Sequence, residues 1–163
     1  MEKQAIHQKA AGVIKSIKYM NIASVTPEGE PWNSPVYCAY DKQLHFFWHS
    51  WKENQHSINV AQHPRVFVTL YDSTVPEGTG FGVYFQGTVS VVTDPAPLLH
   101  ALTHMYQRTG KKALAIKFFL HTFPRRAYQF TPTKVWVNGD GKLNTQFIDI
   151  REELNLEKVK AFL

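Results

Sequence analysis

The chain has 163 residues, of which 44% are hydrophobic and 19% are charged, and its formal net charge at pH 7 is +5. This composition excludes a disordered chain and indicates one domain with a substantial core. A single cysteine excludes an internal disulfide and favours a reducing compartment, and the scattered lysines and arginines argue against a nucleic-acid-binding surface.

The N-terminal region, residues 2–18, predicts one amphipathic helix. Its apolar residues recur with helical spacing, at Ile6, Ala10, Val13, Ile14 and Ile17. The lysines lie mostly outside this stripe, which indicates a solvated face rather than a membrane-binding one. The region lacks the apolar segment of a secretory signal, and no apolar run in the chain approaches the roughly 20 residues that span a membrane. We therefore expect a soluble, cytoplasmic protein.

A β-rich region follows the helix. Three strands are predicted, at Asn21–Thr26, Pro31–Tyr40 and Leu44–His49, separated by turns at Pro27–Gly29 and Asp41–Gln43. Pro35 has no N–H to donate, so its strand should lie at a sheet edge or carry a bulge. Such an edge can admit a ligand, or it can be an edge strand and nothing more.

The rest of the chain predicts further strands and helices. A helix is predicted at Glu53–Gln62, ending at His63-Pro64, and it is followed by strands at Arg65–Tyr71 and Gly82–Thr93. A second helix begins at the cap formed by Asp94 and Pro95 and ends near Arg108, before Gly110, and a further helical stretch covers Lys111–Leu120. The last predicted elements are strands at Arg125–Phe130 and Lys134–Val137, a hairpin turn at Asn138–Gly141 and a terminal helix after Asp149. Strands that follow one another through short turns favour an antiparallel, strongly curled sheet or small barrel with peripheral helices.

The junction at residues 45–60, HFFWHSWKENQHSINV, changes from aromatic to polar. Ser50 and Glu53 have capping-box spacing, so Ser50 is predicted as the helix N-cap. A helix N-terminus attracts anions, and Lys52 adds a positive charge beside it. An anion site next to the aromatic wall of Phe47 and Trp48 would suit a nucleotide-like ligand. The alternative is a cap that only begins a helix.

Other kinds of site are less well supported at this junction. His49 and His56 lie seven residues apart across it, with no acidic or cysteine partner nearby, so we predict no metal site. Aromatic and basic residues together can stack single-stranded nucleic acid, but no known nucleic-acid-binding module is present. Cys38 is interpreted as a small apolar strand residue rather than a catalytic thiol.

An ordered set of short motifs covers about residues 10 to 140. The motifs are Glu28-Gly-Glu-Pro31, Ser34-Pro35-Val36, Trp48-His49-Ser50, His56-Ser-Ile-Asn59 and His63-Pro64-Arg65-Val66, followed by Tyr84–Val89 and Tyr128–Trp136. In this order they resemble the FMN-binding split-barrel proteins related to pyridoxamine 5'-phosphate oxidase. The resemblance implies a mainly β (α+β) fold: a six-stranded antiparallel split β-barrel with peripheral helices, as a single domain over residues 1–163. It also implies a homodimer with FMN at the interface.

The resemblance also implies a set of FMN-binding residues. The strand with Asn33, Ser34, Pro35 and Val36 would lie along the isoalloxazine ring. The ring edge and the phosphate would be held by Phe47, Trp48, His49, Ser50, Lys52, Gln55 and His56. Gln86 would approach the flavin from the long strand and Trp136 from the partner chain. FMN carries the redox chemistry itself, so no acid or base is required; His49 and Tyr37 are the candidates near the ring.

Two departures from the family pattern bear on function. Relatives carry a basic residue just before the helical histidine, where this chain has Asn54 and Gln55, so Lys52 is expected to meet the phosphate. The C-terminal segments that grip substrate in true pyridoxamine phosphate oxidases have no counterpart, so vitamin B6 oxidation is not expected. The resemblance implies an FMN-dependent oxidoreductase that acts on a small molecule, without nucleic-acid or membrane partners. The alternatives are a flavin-binding stress or sensor protein without turnover, and the same fold with deazaflavin or heme.

Overall fold

The structure is a computed structural model that describes residues 3–120 and 122–163. Within these ranges the elements are α1 (Lys3–Ser16), β1 (Tyr19–Val25), β2 (Pro31–Tyr37), β3 (Ala39–Tyr40), β4 (Phe46–Trp51), α2 (Gln55–Gln62), β5 (Arg65–Tyr71), β6 (Gly82–Val92), α3 (Pro95–Thr109), β7 (Arg125–Leu143), β8 (Gln146–Leu154) and α4 (Leu156–Lys160). A short 3-10 helix at Ile116–Phe119 lies between α3 and β7.

All the strands belong to one antiparallel sheet, in the order β2-β1-β5-β6-β7-β4-β3, with β8 paired to β7. The predicted mainly antiparallel split-barrel fold is confirmed, but the described chain has eight strands rather than six, and the sheet does not close. The predicted strand Pro31–Tyr40 is divided into β2 and β3 at Cys38, and the C-terminal region adds β8. Among the described strands β2 pairs with β1 alone, so Pro35 lies on an edge strand as predicted.

The aromatic run of β4 fills two cores, because both faces of this strand are covered. Phe46 and Trp48 face the main core, where the Trp48 ring stacks on Tyr128 at 5.2 Å between centroids. Phe47 faces the other way, into a second core formed with α3 and Phe119. Phe46, Phe47 and Trp48 are each at most 1% exposed. The strand is therefore held rigidly, and the residues that follow its aromatic run have fixed positions.

Local signals predicted β5 and α3 well. Strand β5 covers Arg65–Tyr71 as expected, and α3 begins after Asp94 with Pro95 in its first turn. The helix ends at Gly110, whose φ of 66° is in the left-handed region that glycine adopts readily.

The predictions for the residues around β7 and β8 were partly wrong. The helix predicted at Lys111–Leu120 is reduced to the 3-10 turn, and Asn138–Gly141 forms no hairpin turn but continues β7. The turn lies instead at Asn144, with φ of 56°, and residues predicted as the start of a terminal helix form β8. The glycine at position 141 allows β7 to pack closely against β8, because a Cβ on Gly141 would lie 2.7 Å from Ile150 Cγ2 of the facing strand.

The prediction that Ser50 caps α2 was also wrong. The helix begins at Gln55 with Asn54 as its N-cap, and Ser50 lies within β4, opposite Arg126 of β7. The pairing with β7 extends past the aromatic run, and the Lys52 N–H donates to the Pro124 carbonyl at 2.8 Å. Ladder hydrogen bonds thus keep the chain extended where the capping-box spacing suggested a helix.

A buried carboxylate joins the β3–β4 turn to α3. Asp41, whose side chain is 8% exposed, accepts hydrogen bonds from the backbone N–H groups of Gln43 and His45. Its other oxygen accepts from His45 Nδ1 at 3.0 Å and from His100 Nε2 of α3 at 3.1 Å. Burial by itself raises the pKa of Asp41, but the hydrogen bonds from His45 and His100 outweigh burial and lower it.

We expect Asp41→Asn to lower the free energy of unfolding by roughly 1–3 kcal/mol at pH 7, because the amide cannot accept from both imidazoles and keep the turn. A carboxylate with a lowered pKa in the folded state stabilises the fold above its ordinary pKa, and this contribution is lost as pH falls through the folded value. The difference from wild type should therefore shrink below about pH 4. Urea unfolding monitored by circular dichroism, repeated at several pH values, measures this difference in the free energy of unfolding. Asp72→Asn, at an exposed loop carboxylate, is the matched control and should change stability far less.

Candidate functional site

A cleft of about 880 Å³ lies where the sheet fails to close. One wall comes from the segment leading into β1 and from β2, with Lys18, Tyr19, Pro35, Val36 and Tyr37. The facing wall comes from β4, β7 and the start of α2, with His49, Ser50, Arg125, Asn54 and His56. The end of α3 and the following segment complete it, with Met105, Tyr106, Thr109, Lys111, Lys112 and Leu114. This volume is in the range of small-molecule and cofactor sites.

The cleft brings together part of the predicted site. Pro35, Val36, His49, Ser50 and His56 line it, as does Tyr37. Asn33 and Ser34 lie earlier on β2, and Ser34 accepts a hydrogen bond from Trp32 Nε1 at 3.1 Å.

The remaining predicted residues lie elsewhere. The side chains of Phe47 and Trp48 are in the two cores, and Gln55 donates to Asn59 Oδ1 at 2.8 Å. Lys52 is half exposed, with its Nζ 3.7 Å from a Glu53 oxygen. Gln86 and Trp136 lie on the outer face of β6 and β7, where the Trp136 ring stacks on Phe67 at 5.9 Å.

A polar network joins the end of β4 to the start of α2. Asn54 Nδ2 donates to Ser50 Oγ at 2.7 Å, and Ser50 Oγ lies 2.9 Å from His56 Nε2. Burial lowers the pKa of His56, so at pH 7 its Nε2 can accept from the Ser50 hydroxyl. Because the Asn54 side chain bonds to Ser50, it does not cap α2. The N–H groups of Ser57 and Ile58 donate to the Asn54 carbonyl. The Asn54 side chain leaves the first two N–H groups of the helix, those of Gln55 and His56, without a cap acceptor, as an anion site requires.

A buried amide fixes the helix in this position. Asn59, which is fully buried, donates to Ser24 Oγ of β1 at 3.0 Å while it accepts from Gln55. The start of α2 is therefore attached both to β4, through Ser50, and to β1, through Asn59.

Every charged side chain that lines the cleft, within residues 3–120 and 122–163, is basic. These residues are Lys18, Lys111, Lys112 and Arg125, and no described aspartate or glutamate lines it. Arg125 lies opposite Trp51 in the β4–β7 ladder, with its guanidinium 5.3 Å from the centroid of that indole ring. Cations held between protein walls without acidic partners create a strong local potential, which favours an anionic ligand.

His49 lies within this positive potential. Burial lowers its pKa, and the charges of Arg125 and Lys111 lower it further, so the imidazole is neutral at pH 7. Its ring lies 5.7 Å from that of Phe119 and 6.3 Å from that of Tyr106. A neutral imidazole here can donate one hydrogen bond and accept another.

Two kinds of covalent catalysis do not fit these residues. Cys38 is 1% exposed, and burial raises the pKa of its thiol to about 12, so the thiolate nucleophile is not available. Ser50 contacts His56, but no described carboxylate lines the cleft to orient that imidazole as a base.

Across residues 3–120 and 122–163, no three His, Cys, Asp or Glu side chains are arranged to hold a metal ion. Within the same ranges, no helix has the length and apolarity needed to cross a membrane.

The sequence did not predict that these four cations belong to one site. Lys18, Lys111, Lys112 and Arg125 are far apart in the chain and meet only because α3 returns over the open side of the sheet. No spacing motif connects them.

Residues 6–139 match the family model described as pyridoxamine 5'-phosphate oxidase. Comparison with curated proteins gave no match.

Solved structures of similar fold include proteins described by different ligands. A heme binding protein from Mycobacterium smegmatis superposes with a TM-score of 0.67 at 16% identity, over 95% of this chain and 60% of that protein. The heme storage protein HutZ from Vibrio cholerae has a TM-score of 0.66 at 17% identity, over 79% and 92% of the two chains. An F420 reductase has a TM-score of 0.55 at 18% identity, over 76% and 93%. At these identities the similarity concerns the fold, and this chain spans 60% of the length of the mycobacterial protein.

We expect Arg125→Gln to raise the pKa of His49, because it removes a nearby positive charge. The pKa should stay below the ordinary histidine value, since burial is the larger cause of the shift. An NMR titration of the imidazole signals measures both effects. Arg65→Gln, at an exposed arginine on β5, makes the same charge change and should leave His49 unaltered. A His49 pKa that does not move in Arg125→Gln would contradict the proximity of these two groups.

Proposed function

The chain belongs to the pyridoxamine 5'-phosphate oxidase family, and from this premise we propose that it binds FMN in the cleft and acts as an FMN-dependent oxidoreductase on a small molecule. The observation that carries the proposal is the uniformly positive cleft with an uncapped helix N-terminus at one end. FMN combines a phosphate with a flat ring system, and the cleft offers a fitting surface for each part.

The phosphate end of FMN is assigned to the start of α2 and to Arg125. The free N–H groups of the helix provide directed donors, and the guanidinium adds a full charge with two parallel donors. Arg125 takes the role that the sequence suggested for Lys52, because Arg125 lines the cleft while Lys52 is directed to Glu53. The Ser50–Asn54–His56 network holds the donors in place.

The ring of FMN is assigned to the β2 wall. Pro35 and Val36 present apolar surface there, and Pro35 has no N–H that burial under a ring would leave unsatisfied. Tyr37 is fixed by its hydroxyl, which donates to the Arg108 carbonyl at 3.1 Å. Bound FMN supplies the hydride or electron transfer. The chain holds the ring against β2, and the neutral His49 imidazole can exchange hydrogen bonds with its polar edge.

We also propose a homodimer. Gln86 and Trp136 are on the outer face of the sheet and do not line the cleft of their own chain. They can contribute to an FMN site, as the family resemblance implies, only if a second copy docks through this face. Phe67, which is 39% exposed, and the Trp136 ring stacked on it give the face an apolar centre.

The ligands of the structural relatives define the competing functions. A heme would need an axial ligand, and the neutral imidazole of His49 or His56 in the cleft is a chemically suitable one. The deazaflavin F420 shares with FMN a flat ring system and a phosphate-bearing chain. FMN is favoured because the helix N-terminus and Arg125 suit one compact phosphate group beside the apolar β2 wall.

We expect the purified protein to bind FMN, with quenching of flavin fluorescence, and Arg125→Ala to weaken binding roughly 10- to 100-fold. Lys52→Ala removes a charge outside the cleft and should change the dissociation constant by less than about threefold, since exposed charges contribute little. Titration of each variant with FMN, and of wild type with heme and F420, gives the comparison. Tighter binding of heme or F420 than of FMN would refute the proposal. A greater loss of FMN affinity in Lys52→Ala than in Arg125→Ala would place the phosphate near Lys52 instead of Arg125.

Light scattering at micromolar concentration should show a dimer, because the apolar outer face would otherwise be exposed. Trp136→Glu, which places a charge at the centre of that face, should shift the protein towards the monomer. Phe147→Glu, at the exposed tip of the β7–β8 hairpin, is a control that leaves this face intact. A monomeric wild type would contradict the interface.

A further inference from the structure

We propose that the free edge of β8 pairs with β8 of a second copy of this chain, in an antiparallel ladder centred on Ile150. This edge lies outside the cleft, so the inference does not rest on the proposed FMN site. It is also distinct from the outer-face contact around Phe67 and Trp136, because it joins two sheets side by side rather than face to face.

Strand β8 is a long edge strand without the features that usually prevent association. It covers Gln146–Leu154, and among the described strands it pairs only with β7, in one unbroken register over its nine residues. Natural edge strands are commonly shielded by lysine, proline, a bulge or short length. The sequence QFIDIREEL contains neither lysine nor proline, and the strand is longer than the usual length of about 5–6 residues. The outer row of backbone N–H and C=O groups is therefore a template for another strand.

The β7–β8 hairpin also exposes apolar side chains, on the face that continues from the main core beyond Leu154. Ile148 and Ile150 are 39% and 40% exposed. They lie opposite Gly141 and Gly139 of β7, which have no side chains to cover them. A second strand laid along the edge would bury part of both isoleucines, which gives the contact an apolar component.

The charges on the opposite face of β8 select one register. Because directly opposite side chains point to the same face, a two-fold centre must fall on a residue. With the centre on Ile150, Asp149 faces Arg151 of the partner subunit, and Arg151 faces Asp149 of the partner subunit. A centre on Asp149 would place two aspartates opposite each other, and a centre on Arg151 would do the same with two arginines. Opposite charges that face each other across strands stabilise a pair, and like charges destabilise it, so the edge is self-complementary when centred on Ile150.

The two charged side chains are already held in place on this face. Arg151 Nη1 donates to Asp149 Oδ2 at 2.8 Å, and Arg151 Cζ lies 4.2 Å from the centroid of the Tyr84 ring. Asn138 Nδ2 also donates to Asp149 Oδ1, at 3.4 Å. The hydrogen bonds of Arg151 to described residues both use Nη1, so its Nη2 can meet Asp149 of the partner subunit. Pairing would join the ion pairs of both copies into a network of four charges, at little further cost in side-chain entropy.

Two charge-reversal variants test the pairing, because each should repel itself and attract the other. Asp149→Arg gives each edge two positive charges, and Arg151→Asp gives it two negative charges. Both are made in Trp136→Glu, which removes the proposed outer-face contact, and association is measured by sedimentation equilibrium from about 10 µM to 1 mM. We expect Trp136→Glu alone to self-associate in this range and each reversal to weaken the association roughly tenfold or more. The equimolar mixture of the two reversal variants should recover it.

Glu28→Arg in the same Trp136→Glu background is the matched control, since it makes the same charge reversal in the exposed β1–β2 turn and should leave association unchanged. A mixture that associates no more strongly than its two components would overturn the inference. No association of Trp136→Glu up to about 1 mM would also overturn it, and would leave the edge to a strand of another protein. A protein that binds no FMN but shows the effect of mixing would refute the proposed function alone.

Discussion

Among the described strands, β2 and β4 do not pair with each other, and the site lies in the gap between them. Strand β2 pairs only with β1, while the aromatic run of β4 is covered on both faces. Its buried aromatics fix the strand, so the polar residues His49 and Ser50 reach the gap at defined positions. A closed barrel of the same strands would bury these groups in a core. The open sheet instead provides an apolar wall with Pro35 and Val36, facing a wall of hydrogen-bonding groups.

The electrostatics of the gap favour ligand binding at some cost in stability. Among the described residues, four cations and no acidic residue line the cleft, which gives it a positive potential. The Asn54 side chain bonds to Ser50 rather than capping α2, which leaves the helix N–H groups free. An anion that binds the folded protein relieves both effects, and it stabilises the fold in proportion to its concentration over its dissociation constant. Arg125 and the α2 terminus would thus act together on the same ligand charge.

Sequence patterns predicted those features that depend on neighbouring residues. Asp94, Pro95 and Gly110 bounded α3, and Pro35 indicated an edge strand, because capping and missing donors act locally. The failures arose where distant strands decided the outcome. Ser50 and Glu53 had the spacing of a cap, but pairing with β7 kept Ser50 extended, and Gly139 and Gly141 make room for β8 rather than a turn. Arg125 and Lys111 could not be assigned to a site at all, since only the tertiary fold brings them to the cleft.

The molecule that the protein retains during purification tests most directly whether the positive cleft is an FMN site. The absorption spectrum of the purified protein, followed by mass spectrometry of the ligand released on denaturation, identifies that molecule. We expect a yellow protein that releases FMN, or a colourless one that acquires the flavin spectrum when FMN is added. A protein that releases heme or F420, or that stays without flavin in the presence of excess FMN, would contradict it.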